Sequence, residues 1–506
     1  MKKIITLIAL AATMLTASAK DYTDRLQVEV STGMSASQTA TISLNKQDNG
    51  KYSFALKNFI LSSGNEQLGI GTIQIDDVEA VDLNGITTLS DQRNITIQNG
   101  DTDSPSGTWI GPTLGNVPVQ LIAEQRDESL YAVLNIDMQS TMNQTIKVVF
   151  GNGGYQIPNS DFEEFHKEKN DIDEPNHWHS FASCSGNFSG FVSGTPHTFI
   201  SDVVRPGTSG NSSVMVTSTK IFGVVANGTI TTGRMVAGAM KADDPKNHAE
   251  IDMSNTETDA NGDPFYVPMN GNPEAISVWV KFKQGAPNAR YPYATISAVI
   301  TDGTYYQDPE DKAYTNVMSR AKNNTIESKG FEWQNIIVPF KEVDKSVDGK
   351  AILVTISTNA TPGTGSVDTL YIDDLSLVYN QDITVSGIAV KGNVLTVEDN
   401  MTYQGENSES YSPDDITVDT KAAKVIKRIE ETEGGVKAYI TVASDDLKTF
   451  KIYTIDLPGG TTGIGSINTD SSAPVIYNLQ GQHVNKMQPG QTYIVKQNGK
   501  VIKVIK

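Results

Sequence analysis

The sequence holds a single cysteine, Cys184, so no disulfide can form within the chain in any redox compartment. Basic residues are also scarce: 40 Lys and Arg stand against 59 Asp and Glu, a net charge of −19. That balance argues against nucleic acid and anionic membrane surfaces as partners. After residue 19 no apolar run is long enough to span a bilayer as a helix. No sustained 3.6-residue apolar stripe follows either; "PFKEVDKSV" is the nearest approach. The G-x-S-x-G elbow, the H-E-x-x-H helix and the G-x-x-x-x-G-K-[ST] loop are missing, which removes three common catalytic or nucleotide-binding designs. Aromatic residues are sparse, at 7 %, so a segment that gathers them stands out.

What is present begins with an export signal. Lys2 and Lys3 precede the apolar stretch Ile4 to Leu15, and Ala17-Ser18-Ala19 forms an A-x-A cleavage site. No cysteine lies near the cleavage site, so a lipid anchor is not expected. The mature chain is expected to be secreted and soluble, in the periplasm, on the outer surface or outside the cell. Its length predicts three or four domains. Runs such as "RLQVEV", "TATISL", "KYSFAL", "AVLNIDM" and "TIKVVF" alternate or cluster β-branched and apolar residues between Gly, Asn, Asp and Ser. The fold class read from them is all-β and multi-domain.

Residues 20–150 carry about eight strand signals joined by short turns, which suits a small up-and-down barrel. The stretches "YTDRLQVEVSTGMSASQTATISLNKQDNGKYSFALKNFIL" and "WIGPTLGNVPVQLIAEQRDESLYAVLNIDM" resemble the calycin-like β-barrel domain of Bacteroidetes exported proteins. That resemblance implies a barrel able to hold a small apolar ligand. Trp109 is expected to plug the core.

Residues 155–380 contain three of the four tryptophans, Trp178, Trp279 and Trp333. The opening "IPNSDFEEF", the following "EPNHW" and the closing "DTLYIDDLSLVYN" are similar to the family named "putative carbohydrate metabolism domain" (PCMD), and more broadly to jelly-roll carbohydrate-binding modules. Residues 381–457 fit a small immunoglobulin-like β-sandwich in size and alternation. A Gly/Ser/Thr-rich linker at 458–473 leads to a short β-rich tail at 474–506, which resembles the C-terminal sorting domains of secreted proteins.

The PCMD-like and jelly-roll resemblance implies a structural calcium held by Glu163, Asp374 and the carbonyl of Asp161. Calcium takes several hard oxygens at about 2.3–2.6 Å, and such an ion would tie the first strand to the last. The alternative is a set of solvated loop carboxylates. His177 and His179, two apart in "HWHS", would share one face of a strand. Zinc would need a third ligand, with His166 and His197 as the available guesses, so an unliganded, partly exposed pair is preferred. No organic cofactor is expected.

The same resemblance makes a polysaccharide or oligosaccharide the expected partner. Exposed rings that could stack on sugar are Trp178, Tyr291, Tyr293, Tyr305 and Tyr306, whereas Trp279 and Trp333 alternate with apolar neighbours and read as core. Non-catalytic glycan binding through the jelly roll is the preferred function. The alternatives are a glycoside hydrolase, whose two carboxylates leave no local signature, and a structural or adhesive surface protein. The stretch "YQIPNSDFEEFHKEKNDIDEPNHWHS", residues 155–180, is then the start and seam of a jelly roll, with Phe162 and Trp178 as its core pegs.

Overall fold

The computed structural model describes residues 19–458 apart from short gaps at 31–32, 35–36, 64–65, 84, 127, 288–289, 365, 407–408 and 433–434, together with 475–478, 492–497 and 500–505. The expected export signal (apart from Ala19) and the expected linker at 458–473 (apart from Pro458) lie outside the described residues. The chain divides into two compact units with a boundary at Gly151 and Asn152. Almost every element is a β-strand, as the alternating runs require. In the C-terminal stretch Val475–Asn478 pairs with Thr492–Gln497, which pairs with Lys500–Ile505, all antiparallel.

The first unit is a closed meander. Strand Lys20–Val30 pairs antiparallel with both Gln38–Lys46 and the last strand, Gln144–Phe150, so the end of the sheet returns to its beginning. The remaining gap is bridged by Thr72 and Gln98, which exchange backbone hydrogen bonds of 2.9 and 3.0 Å. Gly71 makes that approach possible: it has φ +128°, and a Cβ there would lie 2.0 Å from the Gln98 carbonyl oxygen. Alternation turns Phe54, Leu56, Phe59, Ile73, Leu121, Leu134, Val148 and Phe150 into one core.

Trp109 does not plug this barrel. It is half-buried, packs on Gly69 and Gly100, and donates its indole N–H to the Thr102 carbonyl (2.9 Å). The glycines before it leave a surface slot wide enough for the ring, and the aliphatic core is filled without it.

The second unit combines a large sandwich with a small one. One antiparallel sheet runs in the order Thr198–Ser201, Ser213–Thr217, Thr369–Val378, Ala275–Lys283, Gln334–Pro339. The other runs Thr229–Thr231, Ala351–Ser357, Ala294–Thr301, Val317–Ile326, Lys341–Glu342. Both bury alternate side chains, among them Val278, Val280, Ile372, Ile296, Ala298 and Val354. A third layer, Arg234–Ala237, Asn247–Ile251 and Tyr306–Asp308, covers part of the second sheet's outer face over Val299 and Leu353. Residues 381–457 form two further sheets around Ile388, Val390, Ile416, Ile440 and Ile455. They belong to the same unit as 155–380: Lys424 Nζ donates to the Tyr155 hydroxyl (2.5 Å), and Asn272 N–H donates to Asp445.

The seam of the large sandwich lies where the sequence puts it, by other means. Residues 155–162 are turns, not a strand. Gln156 imitates strand pairing with its side chain, donating to the Leu377 carbonyl and accepting the Leu377 N–H, both at 2.8 Å. Leu375 N–H donates to the Ser160 carbonyl at 2.8 Å. Phe162 and Trp178 are fully buried with ring centroids 5.2 Å apart, so both act as core pegs.

Candidate functional site

Register explains where a groove opens in the second unit. On the outer face of the second sheet Thr295 opposes Ser357, Ser297 opposes Thr355, and Val299 opposes Leu353. Moving along the strands, this face passes from apolar, under the third layer, to hydroxyl-bearing where that layer ends. Lys322 and Asn324 continue the polar strip on the neighbouring strand. Above it stands an apolar wall containing Phe191 from the short helix Ser189–Val192, Phe222 from the hairpin turn at 221–224, and Met240. The groove has a volume of about 240 Å³. Phe191, Phe222 and Met240 are 55 %, 71 % and 58 % exposed, and the two phenylalanines meet edge to face at 5.5 Å. Rings left in water around one concavity mark a contact surface. Asn227 lines the groove and donates to Ser357 Oγ and the Asn359 carbonyl, while its Oδ1 is unpartnered.

A second constellation is polar and closed. His166 and Glu168 come from strand Phe165–Lys167 and the residue after it, Glu174 from Asp173–Pro175, and Asp259 from the turn bridged by Thr258 and Pro264. One ligating atom from each lies within 4.8 Å of all the others. His166 Nε2 is 3.4 Å from Asp259 Oδ2 and 3.8 Å from Glu168 Oε1. His179 Nδ1 is 3.5 Å from the same Asp259 oxygen. Glu174 and His179 are fully buried; burial pushes the Glu174 carboxyl up to about 8 and the His179 imidazole down to about 4.

The histidine pair is split. His177 has φ +65°, so it sits in a turn and not on a strand. Its Nδ1 meets Asp263 Oδ1 at 2.9 Å, and that hydrogen bond raises its pKa. His179 is fully buried in the closed cluster, against Asp259 and the Pro264 carbonyl. The expectation of a partly exposed pair is therefore corrected for His179, because the turn at 177 destroys the two-residue alternation.

Of the five candidate sugar-stacking rings, Trp178 and Tyr306 are buried and present no face, so they are withdrawn. Both fill core space: Trp178 beside Phe162, and Tyr306 within the apolar cluster between the third layer and the second sheet. Tyr305 is 37 % exposed, while Tyr291 and Tyr293 are half-buried. None of these rings lines the groove, although the Tyr291 and Tyr293 carbonyls accept hydrogen bonds from Asn359 and Ala360 at its end. Trp279 and Trp333, expected in the core, are half-buried on the outer face of the first sheet. Arg205 lies over Trp279 at 5.4 Å, and Trp333 meets Tyr371 at 6.4 Å. The alternation itself puts Trp279 outside: Ile276, Val278, Val280 and Phe282 are fully buried, and Trp279 shares the opposite face with Lys281.

The carboxylates assigned to calcium have protein partners. Glu163 accepts backbone N–H groups of Asn211 and Ser212 at 3.0 Å. Asp374 pairs with the Arg205 guanidinium, and the Arg205 N–H donates to Asp373 at 2.8 Å. Loop 205–212 is thus strapped between the opening segment and the last strand by positive partners, where calcium would need bare oxygens. Asp161 lies in the turn beside Phe162. The groove phenylalanines escaped the sequence reading, although "GNFSGFVSG" and "KIFGVVANG" set rings among turn residues and were the available signal.

Comparison with known proteins bears first on the barrel. Residues 19–153 match the family model of the calycin-like beta-barrel domain. No curated protein matches the chain. Among solved structures, a Clostridium perfringens protein comprising an M60 catalytic domain with two CBM51 domains is 12 % identical, with a TM-score of 0.17. That likeness covers 95 % of this chain and 45 % of the other, so the chain spans less than half of that structure's length. A "putative outer membrane protein" of Bacteroides fragilis is 8 % identical, covering 67 % of this chain and 97 % of that one, with a TM-score of 0.18. At these scores neither superposition carries over an activity or a ligand. Among the described residues no helix is long and apolar enough to cross a membrane.

Proposed function

We propose that this is an exported, non-catalytic glycan-binding protein, acting in carbohydrate capture outside the cytoplasm, with its ligand in the groove of the second unit. The observation that carries the reading is the pairing of a hydroxyl- and amide-bearing floor (Thr295, Ser297, Thr355, Ser357, Asn324) with the exposed faces of Phe191 and Phe222. A pyranose ring has an apolar C–H face and a polar rim, and such a surface answers both. Asp308 is the one carboxylate among the groove's lining residues, and it lies 3.7 Å from Lys322 Nζ. Glycosidases place two carboxylates across the scissile bond, so binding is favoured over hydrolysis here.

The test is a glycan array on the full mature chain, followed by titration of the best ligand. Phe222→Ala and Phe191→Ala are each expected to weaken binding about tenfold, roughly 1.4 kcal/mol, while Trp333→Ala leaves it unchanged. Loss on Trp333→Ala alone would move the site to the outer face of the first sheet. Sugar release abolished by Asp308→Asn would make the protein a hydrolase.

A further inference from the structure

We infer that His166, Glu168, Glu174 and Asp259 form a binding site for a divalent first-row transition ion, with His179 completing or supporting its shell. The argument rests on hydrogen-bond bookkeeping. His166 Nδ1 lies 3.1 Å from the Asn176 side-chain oxygen, so the proton sits on Nδ1 and Nε2 offers a lone pair. His179 Nε2 lies 3.2 Å from the Pro264 carbonyl, which puts its proton on Nε2 and leaves Nδ1 as a lone pair. Both lone pairs aim at Asp259 Oδ2, itself an acceptor.

Glu174 Oε1 is already taken by the Ser180 N–H (2.6 Å) and hydroxyl. Its second oxygen, with Asp259 Oδ2, His166 Nε2 and His179 Nδ1, has no hydrogen-bond partner. The side chains of His166, Glu168, Asp259 and His179 are 9 %, 3 %, 0 % and 0 % exposed, and Glu174 is 0 % exposed. His166 Nε2 and His179 Nδ1 therefore both meet Asp259 Oδ2 with no proton among the three. The Glu174 carboxylate, with the Ser183 hydroxyl beside it, lies within 4.8 Å of the His166 and Asp259 atoms, an arrangement that is costly without a cation.

The spacing suits an ion of transition-metal size. Donors about 2.0–2.2 Å from a common centre lie roughly 3–4.4 Å apart, and the separations here are 3.4 and 3.8 Å with an upper bound of 4.8 Å. The mixture of imidazole with carboxylates favours zinc, manganese or iron over calcium, whose sites are built of oxygen alone. Glu168 Oε1, the oxygen facing His166, also accepts the Ala260 N–H. The outer oxygens are oriented by backbone N–H groups, Glu168 Oε2 by Lys169 and Asp259 Oδ1 by Asn261 and Asp263. An ion held there would clamp the hairpin at 165–175 to the turn at 258–264, some ninety residues on. This site is separate from Glu163 and Asp374, whose oxygens face N–H groups and a guanidinium.

The test uses the full mature chain, stripped with chelator and titrated with Zn²⁺, Mn²⁺ and Ca²⁺, with metal content and melting temperature as readouts. Expected is one equivalent of Zn²⁺ or Mn²⁺ per chain, a raised melting temperature, and imidazole scattering around the metal in X-ray absorption. Glu174→Gln and Asp259→Asn should abolish the saturable uptake, and His179→Gln should weaken it about 10–100-fold. Should Glu174→Gln fail to fold, the His179→Gln titration and the X-ray absorption of the wild type still decide the matter. No uptake, uptake of Ca²⁺ alone, or Zn²⁺ uptake unchanged by His179→Gln and Asp259→Asn would overturn the assignment.

Discussion

In the barrel the buried residues are nearly all hydrocarbon: Phe54, Phe59, Phe150, Leu121 and their neighbours fill it, and the buried carboxylates Asp91 and Glu124 each lie beside an arginine on the same strand. The second unit buries Glu168, Glu174, His179, His197, Asp263, Asp368 and Asp373 as well as its own apolar layers. A buried ionisable group costs free energy unless partnered, so a fold that keeps several does so for connection or for ligands. The barrel closes through its backbone, at Gly71 and the Thr72–Gln98 bridge. The sandwich closes through side chains: Gln156 on Leu377, Glu163 on loop 205–212, Arg205 on Asp374. The difference separates a self-sufficient core from a unit whose stability is tied to its chemistry.

The comparison can be broken by the largest effect first. Phe54→Ala in the barrel and Trp178→Ala in the sandwich each empty a fully buried ring site and should cost about 3–5 kcal/mol. Scanning calorimetry should show each substitution lowering a different transition, since the chain divides into two units. If either one lowers both transitions equally, the two units do not unfold independently and the contrast fails.

A smaller effect isolates the buried imidazoles. His197 is 1 % exposed, donates from Nδ1 to the Thr217 carbonyl (3.1 Å), leaves Nε2 without a hydrogen-bond partner, and packs on the Phe181 ring, 5.1 Å away between centroids. Burial pushes its pKa down to about 4. With a folded pKa below the unfolded value of about 6.5, its contribution is complete above pH 6.5. It is lost as pH falls towards 4, because the unfolded chain takes the proton first. The loss for this one group is about 3 kcal/mol. In denaturant titrations from pH 7 to pH 4, His197→Phe should remove this share from the second unit, on which the raised carboxyls of Glu174 and Asp373 act with the opposite sign. An unchanged pH slope in His197→Phe would assign the effect to other groups.

Much of this fold is legible in the sequence, and the failures have local causes. The alternation of "RLQVEV" and "TIKVVF" fixes paired barrel strands, and the opening "NSDFEEF" does lie along the final strand, 200 residues later. Trp279 stands out of phase with the buried Ile276, Val278, Val280 and Phe282, so its apolar neighbours in sequence face the other way, and His179 escapes the pattern because His177 turns the chain. The cluster at His166, Glu168 and Glu174 draws its fourth member, Asp259, from a turn some ninety residues away, and no spacing rule reaches that far. The groove exists because one sheet face changes from valine and leucine to serine and threonine beneath the edge of a covering layer. The change is written in "ATISAVIT" and "AILVTIS"; the position of the cover is not.

The smallest effect concerns the seam, where two accounts of one carboxylate make different demands. Glu163 binds two backbone N–H groups of loop 205–212, and a hydrogen bond to a charged group contributes about 1.5–3 kcal/mol. Glu163→Ala should therefore destabilise the second unit by about 2 kcal/mol, with Glu163→Gln costing less because its carbonyl oxygen still accepts. In this account chelator changes neither wild type nor variant at this position, since Arg205 already neutralises Asp374. In the calcium account, chelator lowers the melting temperature of the wild type and has no further effect on Glu163→Ala. Because the cluster at Glu174 would also respond to chelator, the comparison is made in a Glu174→Gln background. A chelator response that survives there and disappears with Glu163→Ala would return calcium to the seam and make the sandwich, unlike the barrel, dependent on metal for its closure.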